Sequence, residues 1–147
     1  MLALFQGEGT GPTVPSNWIE WPESPGLMDS LCKFIPKYFA GSEFYGWKDP
    51  RMTILLPPML EVFRRLECQP HFLMPVRHPL DVAASWERTY GVQLKTSLSF
   101  WTRFMLTALK DLQGADLFLC SFRDLLSDPR ATLEHYLDGL PIAKRSD

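Results

Sequence analysis

The stretch Phe72-Leu73-Met74-Pro75-Val76-Arg77-His78-Pro79-Leu80-Asp81-Val82-Ala83-Ala84-Ser85-Trp86 decides how this chain is read. The apolar run 72–76 is too short for a helix and is bounded by polar punctuation, which describes a buried strand. The run ends on Arg77, turns at Pro79 and continues as a helix; Pro79 and Asp81 are ordinary helix-start signals. A strand that ends on an arginine and feeds a helix N-terminus gathers donors suited to a phosphate. The helix brings unpaired N–H groups and the positive end of its dipole. Arg77 brings a fixed fork of donors that matches phosphate oxygens. Ser85 lies about 9 Å along the helix from Pro79, at ~1.5 Å per residue. Its hydroxyl joins such a site only where the helix folds back beside the strand end. The plain alternative is a solvated arginine next to an unremarkable helix start.

Upstream, residues 1–26 are rich in glycine and proline and read as a loop-rich lead-in, with Trp18 and Trp21 as anchors to the body. A helix is predicted over about 27–39, bent at Pro36. An aromatic strand follows at 43–48 and runs into the turn Asp49-Pro50-Arg51. Residues 53–66 read as a helix despite Pro57 and Pro58, with Arg64 and Arg65 where the dipole favours them. Downstream, the helix that opens at Pro79 ends near Tyr90-Gly91. Leu98, Trp101, Met105, Leu106, Leu109 and Leu112 recur at helical spacing and define a long core-facing helix over 97–112. Residues 116–122 read as a second buried strand. Asp128-Pro129 opens a last helix that stops at Gly139, before a polar tail at 141–147.

Strands that alternate with helices imply an α/β fold with a parallel sheet and right-handed crossovers, occupying residues 27–140. Ligands in such sheets bind at the carboxyl ends of strands. Three places then share one rim: Lys48 with Arg51, Arg77 with Ser85, and residues 122–124.

Composition narrows the classes. The 147 residues make one domain's worth of chain, and 46% hydrophobic content suffices for a core. A net charge of −2 argues against a basic nucleic-acid arm or an acidic tail, and no nucleic-acid-binding signature is visible. Cys32, Cys68 and Cys120 are isolated and odd in number, which suits buried thiols in a reducing compartment. His71, His78 and His135 show no metal-ligand spacing. No run is long enough to span a membrane, and the apolar start 1–5 lacks the features of a secretory signal, so a cytoplasmic location is expected.

Three segments carry a family resemblance: Trp47-Lys48-Asp49-Pro50-Arg51, then Val76 to Trp86 as quoted above, then Leu117-Phe118-Leu119-Cys120-Ser121-Phe122-Arg123-Asp124-Leu125-Leu126-Ser127-Asp128-Pro129. In order and spacing they resemble the P-loop-type sulfotransferases, especially bacterial ones, over about residues 43–140. The middle segment is the most specific of the three. The resemblance implies a three-layer P-loop-like sheet and 3′-phosphoadenosine 5′-phosphosulfate (PAPS) as sulfuryl donor, with adenosine 3′,5′-bisphosphate as its product. It implies a hydroxyl or amine acceptor, either a small molecule or a glycan, and no metal. Arg77 and Ser85 match the pair that grips the donor's 3′-phosphate. Phe122 stands where the family element has tyrosine, so packing is kept and a hydroxyl contact is lost. Lys48 resembles the lysine that, in some members, approaches the transferring sulfuryl group.

One family feature has no counterpart. The phosphosulfate-binding loop, a basic residue followed by Ser-Gly-Thr, should precede these segments, and nothing in residues 1–42 matches it. Gly7-Glu8-Gly9-Thr10-Gly11 is glycine-rich, but Glu8 would repel a phosphosulfate. The expectation is a sulfotransferase-like chain that lacks the first βα unit, or the cofactor-binding part of such an enzyme. The alternative is a catalytically silent α/β domain that binds a nucleotide or a protein. A nucleotide-kinase reading is disfavoured because GxxxxGK[ST] is absent. Asp49 and His78 are poor candidates for the catalytic base: Asp49 reads as a turn residue and His78 as a shaper of the turn. A sheet left open by a missing unit is expected to homodimerise or aggregate.

Overall fold

The structure, a computed structural model, describes residues 17–49 and 51–140. The lead-in before residue 17 and the polar tail from residue 141 lie outside the described residues, as does Pro50. The chain divides into two compact units, one of residues 1–69 with 102–113, the other of 70–101 with 114–147.

The first unit is helical. A short 3-10 turn, Trp18–Glu20, precedes helix α1 (Ser24–Tyr38). Trp18 is buried, and the Ser24 hydroxyl donates to its carbonyl. Trp18 is therefore the anchor expected from the sequence, whereas Trp21 stays exposed. Helix α1 packs against α2 (Met52–Arg65). Met28 and Ile35, two turns apart on α1, are buried, as are Leu56, Pro58, Met59, Val62 and Phe63 of α2. Pro57 and Pro58 each remove a helix hydrogen bond, a cost that helix formation meets through burial of this apolar face. Glu61 accepts from Arg64 and Arg65 one turn on, and both guanidinium groups hold its carboxyl down at about 2.

The aromatic segment at 43–48 is not a strand. Its rings stack instead of pairing with a sheet. Tyr45 lies 4.3 Å from Phe39 between ring centroids, with the ring planes nearly parallel, and Trp47 lies 5.8 Å from Phe63. The Tyr45 hydroxyl also meets the Cys68 thiol at 3.3 Å, and its pKa is pushed up to about 12, chiefly by that contact and then by burial.

The second unit holds the sheet. Strands β1 (His71–Val76) and β2 (Asp116–Ser121) pair in parallel, with His71 beside Asp116 and Val76 beside Ser121. The α/β character expected from the sequence is present as this two-stranded parallel sheet flanked by helices. Neither strand is fully buried: every strand residue is half-buried or exposed. At the amino ends the His71 ring is bonded to the Asp116 carboxylate across the pair. Helix α3 (Pro79–Tyr90) follows β1 and stops at Gly91, whose φ of 67° is the left-handed geometry that suits glycine after a helix. Helix α4 (Leu94–Asp111) begins in this unit; its residues 102–111 belong to the first. Trp86 of α3 meets Phe100 of α4 at 6.2 Å, and Ala83 of α3 and Ser97 of α4 are buried. After β2 come the short helix α5 (Phe122–Ser127) and α6 (Pro129–Asp138). Asp128 caps α6 by accepting from the Ala131 N–H, the role its sequence context indicates. Phe118 of β2 packs on His135 and Tyr136 of α6.

Candidate functional site

The parallel register fixes what sits at the carboxyl end of the sheet. Val76 and Ser121 are partners, so the residues that follow them, Arg77 and Phe122, leave the sheet side by side. The Arg77 guanidinium lies over the Phe122 ring, 5.4 Å from its centroid. Arg77 is half-buried, and among the described residues it has no carboxylate partner. An aromatic face attracts and orients a guanidinium without neutralising it. Its charge and its fork of donors therefore remain available to an anion.

The turn after Arg77 is more committed than the sequence suggests. His78 is the N-cap of α3, and its Nδ1 accepts the Leu80 N–H at 3.3 Å. Pro79 has no N–H, and the Val82 N–H bonds to the His78 carbonyl. Of the first-turn donors only the Asp81 N–H is left without a partner among the described residues. The expected cluster of unpaired helix N–H groups thus reduces to one, and binding would rest on Arg77. His78 acts as a cap, which matches the sequence reading of it as a turn residue.

Ser85 is half-buried on α3, in the second turn of the helix. Its hydroxyl has no hydrogen-bond partner among the described residues. It lies at the margin of the face that carries buried Ala83 and the Trp86 ring, with its hydroxyl still uncommitted.

At the end of β2, Ser121 caps α5 by accepting from the Arg123 and Asp124 N–H groups. That helix start is satisfied from within. Burial and then the Asp124 charge raise the Cys120 thiol pKa, which keeps the thiol protonated.

Lys48 lies in the first unit, exposed, on the irregular segment before α2 and not at a strand end. Its neighbour Asp49 is bound to Arg51. The carboxylate accepts the Arg51 backbone N–H at 2.8 Å and both sides of the guanidinium fork, at 2.9 and 2.6 Å. These bonds hold the Asp49 carboxyl down at about 2. A carboxylate so weakly basic does not take up a proton near neutral pH, which agrees with excluding it as the base.

The Arg77–Phe122 contact is the element that sequence reasoning missed. Its signal was the pair of strand ends: two parallel strands in register place the residues just past them together. Among the described residues no three His, Cys, Asp or Glu side chains group as metal ligands. No helix among them is long and apolar enough to cross a membrane. No family model, curated protein or solved structure matches the chain.

Proposed function

We propose that the second unit is the 3′-phosphate-binding part of a PAPS-dependent sulfotransferase-like site, with its parallel pair belonging to a three-layer P-loop-type sheet. One observation carries this reading: a half-buried arginine with no counter-ion among the described residues, held by an aromatic ring at the carboxyl end of a parallel sheet. An arginine fork without a carboxylate is suited to a phosphate. Ser85 supplies a second donor and the Asp81 N–H a third. PAPS, when bound, supplies the sulfuryl group that passes to a hydroxyl or amine acceptor. The chain's own contribution is to hold the 3′-phosphate and fix the orientation of the nucleotide.

A second reading has specific support. Among the described residues the turn offers a single free N–H, and this small donor set favours a silent domain that binds a nucleotide without turning it over.

Calorimetric titration with adenosine 3′,5′-bisphosphate, on the wild type and on Arg77→Ala with AMP as control, tests the site. Saturable binding that requires the 3′-phosphate and is lost in Arg77→Ala is expected. Equal binding of AMP, or no binding at all, would overturn the assignment. Transfer of labelled sulfate from PAPS to a panel of phenol, amine and sugar acceptors then separates the enzyme from the silent domain.

A further inference from the structure

We propose that Arg88 is a second guanidinium of the phosphate site and makes it selective for a doubly charged phosphate monoester. The inference rests on the nucleotide reading above and adds a residue to it. The groups assembled so far are poor in charge. Arg77 brings one positive charge, and the Ser85 hydroxyl and the Asp81 N–H bring none. Asp81 also carries a carboxylate on the first turn of α3, exposed and without an ion-pair partner among the described residues. Arg77 and Asp81 therefore cancel, whereas a phosphate monoester carries about two negative charges at neutral pH.

Helix α3 carries the cation that offsets this. Asp81, Ser85 and Arg88 recur at i, i+4 and i+7, so they share one side of the helix, each a turn from the next. Ser85 thus has the Asp81 carboxylate on its N-terminal side and Arg88 on its C-terminal side. The Arg88 side chain is turned back toward Ser85: its Nε donates to the carbonyl of the adjacent Ala84 at 3.3 Å. Long helical side chains lean toward the N-terminus, and this bond fixes the lean, so the guanidinium is held over the turn that carries Ser85. The bond occupies Nε alone. Among the described residues the terminal nitrogens of Arg88 have no partner and no carboxylate pairs with them. Adding Arg88 makes the site net positive and places a second donor fork beside the Ser85 hydroxyl. A dianion gains from both guanidinium groups, and a singly charged ester gains less.

Calorimetric titration of the full chain with adenosine 3′,5′-bisphosphate tests this on wild type, Arg77→Ala, Arg88→Gln, Arg88→Lys, Asp81→Asn and the double variant of Asp81→Asn with Arg88→Gln. Thermal melts confirm that each is folded. Arg88→Gln should weaken binding about fivefold, the upper end for an exposed charge pair, and Arg88→Lys should keep part of what is lost. Asp81→Asn retains the N–H and removes the charge, so it should tighten binding and, in the double variant, offset most of the Arg88→Gln loss. A merely structural role for Arg88 would not be corrected by a charge change at Asp81. The preference for the bisphosphate over its singly charged 3′-methyl ester should also shrink in Arg88→Gln. Binding that needs Arg77 but ignores Arg88→Gln, or an Arg88→Gln protein with the wild-type preference, would overturn this inference and leave the phosphate site standing. No binding by the wild type would overturn both.

Discussion

Replacing Phe122 by leucine should weaken phosphate binding even though Phe122 touches no phosphate. The ring lies 5.4 Å from the Arg77 guanidinium and is its only partner among the described residues. A cation–π contact at a partly exposed position contributes about 0.5–1 kcal/mol. Freeing the arginine adds an ordering cost on binding of about 0.5–1.5 kcal/mol. The ring contact is present with and without the phosphate and cancels, so the ordering cost alone sets the loss, roughly two- to twelvefold, since ~1.4 kcal/mol is tenfold. Arg77→Ala removes the charge-assisted bonds themselves, at about 1.5–3 kcal/mol. The double variant provides the sharper test. If the ring acts only through the arginine, Phe122→Leu on top of Arg77→Ala costs nothing more, and the two changes are strongly non-additive. Phe122→Tyr keeps the ring and should keep binding. The assay is calorimetric titration with adenosine 3′,5′-bisphosphate on all four variants and the wild type, each first shown to melt as the wild type does. Additive losses, or a Phe122→Leu protein that binds normally, would refute the reasoning.

Other consequences follow from named contacts. Ser85→Ala should weaken the same binding by about three- to tenfold, from a single hydrogen bond of ~1 kcal/mol, with little change in melting temperature; titration and thermal melts check both. The Asp49 carboxyl is depressed to about 2 from 3.8 by Arg51, so the stability it lends is present above the unfolded value and disappears as pH falls through about 2. Arg51→Ala should return its NMR titration midpoint toward 3.8. Met28 of α1 is 1% exposed. Met28→Ala should cost about 2–5 kcal/mol in chemical denaturation.

Much of the fold was legible because local signals and packing agree. The run 71–76 is a strand with the expected bounds, and α3 begins at Pro79 and ends before Gly91 as the sequence indicates. Helix α2 was legible through its apolar face, although its two prolines argue against it. Two elements were misread for physical reasons. Residues 43–48 have strong β propensity, but propensity for a strand is chiefly fitness for a sheet neighbour. Here the rings find one another first. Helix α5 is six residues long, below the length at which periodicity is informative, and its apolar start reads as an extension of β2. Both strands were expected to be buried, yet their side chains are only half covered, a property of the surroundings and not of the run itself.

The site was legible in part. The spacing of Arg77, Pro79 and Ser85 is local and was read directly. The ring under Arg77 is 45 residues away in the chain and depends on register, which no local pattern encodes. The turn was overestimated as a donor cluster because His78 takes up an N–H with its own side chain, a contact that side-chain geometry reveals and sequence does not.

The most direct test of the central claim is a nitrogen-15 NMR titration of the wild-type chain with adenosine 3′,5′-bisphosphate and, separately, with AMP. The account predicts that the bisphosphate shifts the Arg77 Nε–H and the Asp81 amide together, with one dissociation constant, while AMP leaves both in place. Shifts confined to other residues, or the same shifts with AMP, would contradict a 3′-phosphate site at Arg77.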